Sequence, residues 1–416
     1  MPNRAALLIV VLALVAAACQ SSAEPTTTTT TATTTTVAPT TTEATTTTAA
    51  PAPTTLATTT TTEPLRVVTA TGDLPQPLLD EVAALYSFVA DARNDASGLP
   101  PGMVDHLGER SAAVADSVEA EGVWVTLPEG DAVAVVHVAD DTLLAVGEEA
   151  TWRIVGGQVG DAPPWLGSAP RTLLVLGSDA RVGQNQLRFR ADSIHIVTTV
   201  PEATVGAIVG FPRDSWVEGP DGGIKFTHLM AGRGPEIMLE TTRDLTGLPI
   251  EGYVVTGFKG FTGLMNILGS LVIDLPTTMR TGNNWKNFAA GLQTLSPLRA
   301  LQLARIRKGL PGGDFARSRN QGLIMQAAMT MLKDMGIDML PVMLVGLLEN
   351  AWTDLSTEEL LTWAATIYFM EPTDLTNTVL PGKVGSAGGA SVVFLSEDVE
   401  DIFRDLEDGI LDELEE

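Results

Sequence analysis

Carboxylates and guanidinium groups recur in the second half of this chain at spacings suited to gripping a phosphate-rich ligand. Asp179 follows a short apolar run, Asp192 precedes a second, and Arg213 follows a third within Phe211-Pro212-Arg213-Asp214. Further on stand Arg305-Ile306-Arg307-Lys308, a glycine-rich loop (Gly309, Gly312, Gly313), and Asp314-Phe315-Ala316-Arg317-Ser318-Arg319-Asn320-Gln321. With Arg299, six of the 25 lysines and arginines fall within one stretch of 21 residues, opposed there by Asp314 alone. Such a cluster repels itself unless an anion neutralises it, and the guanidinium fork suits bidentate contact with phosphate oxygens. Two carboxylates beside it suit Mg²⁺, which prefers one or two carboxylates together with phosphate oxygens. Metal and guanidinium together would neutralise a phosphoryl group in transfer. Each residue taken singly has a plainer account: a turn or cap for Asp179, a local salt bridge for Arg213-Asp214, a solvated helix end for Arg305 and Arg307. Their convergence is what points to phosphate chemistry. The four histidines, His106, His137, His195 and His228, show no metal spacing, and no Gly-x-Ser-x-Gly elbow or Walker loop is present.

These residues must be held by a framework of strands and helices. Leu173–Leu176, Ser193–Val200, Val205–Phe211, Gly252–Thr256 and Leu271–Leu275 read as strands. Pro235–Leu245, Phe258–Leu268, Pro297–Ile306 and Arg317–Met335 read as helices. The alternation predicts an α/β fold with helices on both faces of the sheet, and in such folds residues just past strand ends tend to form the site. Before it, residues 65–161 read as a small α+β unit, with a helix at Gln76–Asn94 and strands at Ala132–Val138, Thr142–Val146 and Thr151–Val155. No catalytic pattern marks that unit, and His137 is expected to be structural.

The first residues address the chain rather than fold it. A single positive charge and an apolar run from Ala5 to Ala18 precede Cys19, a run shorter than the ~20 residues that span a bilayer. Residues 1–18 therefore read as a secretory signal peptide. Val15-Ala16-Ala17-Ala18-Cys19 resembles the lipobox of bacterial lipoproteins, with Ala16 where leucine is usual, which implies lipidation of Cys19 and a membrane anchor on the extracytoplasmic side. Cys19 is the only cysteine, so no intramolecular disulfide can form. Residues 19–64, almost wholly Thr, Ala and Pro after the first few, read as a disordered tether. The net charge of −26 argues against nucleic acid as a partner.

In order, Leu174-Val175-Leu176-Gly177-Ser178-Asp179-Ala180-Arg181, Arg190-Ala191-Asp192-Ser193 and Phe211-Pro212-Arg213-Asp214 resemble the LytR-CpsA-Psr family of cell-envelope phosphotransferases. Lys225, Gly234-Pro235-Glu236, Phe258-Lys259-Gly260-Phe261, Arg305-x-Arg307 and Gly313-Asp314-Phe315-Ala316-Arg317 to Gln321 continue the likeness. The resemblance implies a mixed central sheet sandwiched by helices, over residues 162–336 and continuing through 337–416 with an acidic tail. It implies a donor, a glycopolymer on a polyprenyl pyrophosphate carrier, and an acceptor, a peptidoglycan hydroxyl. By position, Asp179 and Asp192 would hold Mg²⁺, and Arg213, Arg305, Arg307, Arg317 and Gln321 would hold the pyrophosphate. Asp192, Arg213 and Arg317 are the catalytic candidates, with Asp192 as proton acceptor. The alternative is a non-catalytic polyprenyl-phosphate-binding module or scaffold in envelope assembly. The chain departs from the family pattern at Lys225-Phe226-Thr227-His228-Leu229-Met230, usually Lys-Ile-Asn-x-x-Tyr, at Asn320 and at Leu303, changes expected to touch the rim of the site.

Overall fold

The computed structural model describes residues 67–92, 94–108, 117–148, 150–280, 287–307 and 310–411. The signal segment, Cys19 and the threonine-rich tether lie outside the described residues. The first described elements are β1 (Val67–Ala70), α1 (Gln76–Ala90), α2 (Pro101–Gly108), β2 (Ser117–Thr126), β3 (Ala132–Val138), β4 (Asp141–Glu148) and β5 (Thr151–Gln158). The five strands pair in sequence order, antiparallel except for β1 beside β2. Because side chains alternate across a strand, Ala134, Val136, Leu143, Ala145 and Ile154 join the core built with α1 and α2. Val133, Val135, Leu144, Val146 and Val155 face the opposite way. Helix α1 stops at Ala90, short of the Asn94 expected, because Asn94 turns back and its Nδ2 donates to the Ser87 carbonyl at 2.7 Å. His137 is structural: its Nε2 lies 2.7 Å from Asp338 and its Nδ1 3.2 Å from Thr142.

The second sheet holds the residues of interest. Strands β6 (Arg171–Ser178), β7 (Ala191–Val200) and β8 (Val205–Gly210) form an antiparallel meander. Then come the hairpin β9 (Trp216–Gly219) and β10 (Gly222–Lys225), α3 (Phe226–Leu229), α4 (Pro235–Thr246), β11 (Tyr253–Thr256) and α5 (Phe258–Leu268). A second hairpin, β12 (Leu271–Leu275) with β13 (Gly291–Leu295), leads into α6 (Pro297–Arg305) and α7 (Asp314–Met335). The chain closes with α8 (Leu340–Asn350), β14 (Trp352–Thr353), α9 (Thr357–Phe369), β15 (Leu375–Val379), the hairpin β16 (Gly382–Ala387) and β17 (Ala390–Leu395), and α10 (Val399–Asp405). The central order is β14-β11-β6-β7-β8-β15, with β11 parallel to β6 and β15 parallel to β8, so the expected mixed sheet is present.

Strand β6 is buried along its whole length because both faces are covered. Leu174 and Leu176 pack with Phe226, Met238 and Phe403 from α3, α4 and α10. Leu173 and Val175 pack into a layer drawn from α5 to α9, and that layer continues to the second face of the N-terminal sheet. All described residues belong to one compact unit. Among them no helix is long and apolar enough to cross a membrane.

Two departures from the sequence reading matter for the site. Helix α7 begins at Asp314, not Arg317, because Gly313 takes φ 54°, a left-handed entry that lets the glycine loop turn directly into the helix. Asp192 lies inside β7, not before it. The β6–β7 register shifts so that Gly177 faces Ser193 and Ser178 faces Ala191, leaving Asp192 as the extra residue of a β-bulge.

Candidate functional site

Bulges re-aim side chains, and this one turns Asp192 toward the two elements that carry arginine. Arg213 follows β8 and its Nη1 donates to Asp192 Oδ1 at 2.6 Å. Thr227, the second residue of α3, donates its hydroxyl to the same oxygen at 3.4 Å. Asp192 Oδ2 is buried with no hydrogen-bond partner among the described residues. Burial pushes the carboxyl upward from its ordinary pKa; Arg213 and Arg317 pull against that, Asp179 adds to the rise, and the net direction is up.

Arg317 stands one turn into α7 and is only 1% exposed. Its Nη2 meets Asp314 Oδ1 at 2.6 Å, while Asp314 Oδ2 accepts the backbone N–H of Arg213 at 3.1 Å. Asp314 thus ties the turn after β8 to the first turn of α7, where a carboxylate also suits the helix dipole. A further strut lies beside it. His195 on β7 is fully buried, its Nε2 3.2 Å from both the carbonyl and the hydroxyl of Ser318, its Nδ1 3.1 Å from the Ser193 hydroxyl. Burial, with repulsion from Arg317, pushes its pKa down to about 4, so the ring is neutral near pH 7.

Asp179, at the end of β6, is clamped by Arg190, whose Nε and Nη2 reach Oδ2 at 2.9 and 2.5 Å and whose backbone N–H reaches Oδ1 at 3.1 Å. Asp214 receives Lys225 Nζ at 3.0 Å and lies 3.8 Å from Arg213 Nε. In space, therefore, carboxylates from four separate segments partner the cations, where within the basic stretch from 299 to 319 the sequence places Asp314 alone. The result is a closely paired set of charges, buried around Asp192 and Arg317, in which Asp192 Oδ2 has no hydrogen bond among the described residues, a place that can take a proton or ligate a cation.

The remaining predicted residues gather at the end of α6. Arg305 stacks over the Phe258 ring, 4.6 Å to its centre, and Arg307 is half-buried just past the helix. Gln321 is buried, and its Nε2 donates to the Ala304 carbonyl at 3.2 Å, so that amide holds the last turn of α6. The structure brings Asp179, Asp192, Arg213 and Arg317 together; it ties Arg305 and Gln321 to α5 and α6 instead. Cys19 lies outside the described residues.

The LytR_cpsA_psr family model matches residues 159–407, more than half of the chain. The chain belongs to the LytR_cpsA_psr family. Among its relatives is the polyisoprenyl-teichoic acid–peptidoglycan teichoic acid transferase TagU of Bacillus mycoides strain KBAB4, 31% identical over 162 residues, which are 38% of this chain and 52% of that protein. TagU of Bacillus anthracis strain A0248 is 30% identical over 161 residues, again 38% and 52%. The chain spans about half the length of the curated relatives it matches. Two solved structures share the LytR_cpsA_psr fold with it at a TM-score of 0.50: TagT bound to LI-WTA, 21% identical, covering 59% of this chain and 92% of that one, and gbs0355 of Streptococcus agalactiae, 18% identical, covering 59% and 91%. The N-terminal sheet precedes the matched span.

Several residues of this charged cluster do not stand out in the sequence. Arg190 is visible in its motif, two residues before Asp192, but only the fold shows it gripping Asp179. Thr227, expected at the rim, is buried against Asp192, while Phe226, Leu229 and Met230 are core. Of that segment only His228 is exposed; burial first, then the neighbouring Arg190 and Lys225, push its pKa down. Asn320 and Leu303 are likewise buried, with Asn320 Nδ2 3.5 Å from the sulfur of Met279.

Proposed function

We propose that this protein moves a glycopolymer from a polyprenyl pyrophosphate carrier to a peptidoglycan hydroxyl outside the cytoplasm, held near the membrane through a lipid on Cys19. The observation that carries this reading is the Asp192–Arg213–Arg317 arrangement, buried on a bulge within the family-matched span. The teichoic acid transferase relatives support the reaction class, and TagT, which shares the fold, has been solved bound to LI-WTA.

In this reading the acceptor oxygen forms a bond to the phosphorus nearest the sugar. The bond from that phosphorus to the bridging oxygen breaks, and polyprenyl phosphate leaves. With Asp192 Oδ2 free, the acceptor proton passes to it, since its raised pKa makes it a stronger base than an exposed carboxylate; with a cation held there, the proton goes to solvent. Arg213 and Arg317, held by Asp192 and Asp314, present guanidinium groups already oriented for phosphate oxygens. Arg305 and Arg307 take the rest of the pyrophosphate.

The donor set fits Mg²⁺: Asp192 Oδ2 is a buried oxygen without a partner among the described residues, and Asp179 lies close enough to raise the Asp192 pKa. Asp192 and Asp179 would hold the ion, with Arg190 sharing Asp179. When bound, it would neutralise charge on the phosphoryl oxygens.

The test is release of polyprenyl phosphate by the full chain from a lipid-linked oligosaccharide, with peptidoglycan fragments as acceptor, across a Mg²⁺ titration. Asp192→Asn and Arg317→Ala should each lower turnover by about 10²–10³-fold at every Mg²⁺ concentration. Asp179→Asn should shift the Mg²⁺ requirement upward and recover part of its rate at high Mg²⁺. A wild-type chain that binds the donor tightly yet releases nothing under any condition would sink the transfer reading and leave a non-catalytic carrier-binding module.

A further inference from the structure

The charge of this chain is distributed against its own average. From Gly252 to Gly313 one carboxylate, Asp274, stands against seven lysines and arginines, in a sequence with 51 acids and 25 bases. That segment builds α5, the β12–β13 hairpin and α6. Its described cations include Lys259, Arg280, Arg299 and Arg305, and Lys259 and Arg280 are exposed.

The same segment exposes apolar side chains where an amphipathic ribbon should present polar ones. In the hairpin, Leu271, Ile273, Leu275 and Leu295 point into the core. Register pairs Val272 with Thr294 and Asp274 with Leu292, so these four share the outer face. Val272 is 50% exposed and Leu292 72%, and Leu298, in the first turn of α6, is 63% exposed. Burial inside the protein does not explain them.

Exposed aliphatic side chains in a segment whose cations, Lys259 and Arg280 among the exposed ones, outnumber its one acid, Asp274 on the same outer face, are what an anionic bilayer surface attracts: the cations meet the headgroups and the aliphatic chains enter the boundary below. The remainder of the molecule is strongly acidic and is repelled by the same surface, so the asymmetry also sets orientation. We infer that the β12–β13 hairpin and the start of α6 form a membrane-docking face that lies against anionic lipid. An anionic polymer would engage the cations equally well, but it has no use for Val272, Leu292 and Leu298, which decides between the two. Arg305 sits at the other end of α6, so docking would place the phosphate-binding end of that helix one helix length from the lipid. Docking of this kind does not depend on the transfer reading.

The sole cysteine makes a direct test practical. In the full chain carrying Cys19→Ser, Leu292→Cys is labelled with an environment-sensitive fluorophore, and Val384→Cys on the β16–β17 hairpin, 72% exposed, serves as the comparison site. The chain is mixed with phosphatidylglycerol vesicles or with pure phosphatidylcholine vesicles, each with and without lipid-borne quenchers. The expected result is a blue shift and quenching at 292, absent at 384, absent in phosphatidylcholine and lost in about 0.5 M salt, where the Debye length is only a few Å. A label at 292 that stays in water while the chain sediments with vesicles overturns the inference, as do equal shifts at 292 and 384 or no binding at all. A response at 292 to a soluble poly(glycerol phosphate) but not to vesicles would reassign the face to an anionic polymer.

Discussion

His195, buried three residues from Asp192, makes the site sensitive to acid. Its folded pKa of about 4 lies below the ordinary value of ~6.5. Between those two values the unfolded chain holds a proton that the folded chain does not. Stability therefore falls as pH drops from about 6.5 toward 4, by on the order of 3 kcal/mol for a fully buried ring. Asp192 slopes the other way: its raised pKa makes the folded chain take up a proton earlier, so its contribution is present at low pH and lost as pH rises. Urea midpoints of wild type and His195→Gln, compared from pH 7 to 4.5, separate the two. The variant should be less stable at pH 7 and show a flatter acid slope; parallel slopes would remove His195 from the account. Charge patterning makes Asp179, Asp192 and Arg213 legible in the sequence because each borders an apolar run, and Arg317 because it lies in a dense basic cluster. The pairings made by Arg190, Thr227 and Asp314 are not legible there, since which cation meets which carboxylate depends on a one-residue bulge that no periodicity announces.

At the scale of elements, the site depends on how closely β8 approaches α7. A Cβ added at Gly210 would stand 2.2 Å from the Ser318 hydroxyl and 2.9 Å from His195 Nε2. Gly210→Ala should therefore cost about 1–3 kcal/mol and lower activity, since the same contact sets the first turn of α7 and hence Arg317. Adding Ser318→Ala removes the nearer clash and should recover part of the loss; strictly additive losses in denaturant unfolding would show that the clash is relieved elsewhere. Gln321 plays the comparable part for α6. Gln321→Leu should cost roughly 1 kcal/mol and raise the donor KM several-fold with little change in kcat, because it loosens the turn that carries Arg305. A fall in kcat at unchanged KM would instead place Gln321 on the reacting phosphate. The strands β6 to β8 are legible because their apolar runs are short and continuous. Helices α8 and α9 are not: in α9 the buried residues run unbroken from Leu360 to Ile367, and in α8 the residues between the buried ones, Val342, Val345 and Leu348, are apolar too, so no amphipathic period stands out.

For the whole molecule, the revealing feature is the second face of the N-terminal sheet. From the sequence, residues 65–161 read as a unit of unknown role, and nothing in their local pattern says that both faces of the sheet are covered. In space Val133, Val135, Leu144, Val146 and Val155 belong to the same apolar layer as Leu344, Leu347, Leu361 and Trp363. Burying a side chain of this kind contributes about 1.5–3 kcal/mol. Uncovering several at once would therefore remove roughly 10 kcal/mol, comparable to the ~5–15 kcal/mol that holds a domain folded. A chain starting at residue 162 should consequently aggregate or bind hydrophobic dyes, and should lose the single unfolding transition expected of the intact unit. If that truncated chain instead runs as a monomer with sharp, cooperative unfolding, the layer can close on itself. The N-terminal sheet would then be an attachment to the family domain rather than part of its core. The arrangement argues for the first outcome, because α8 and α9 pack directly on β2 to β5, and Leu344, Leu347, Leu361 and Trp363 share one buried layer with the valines and leucine of that sheet.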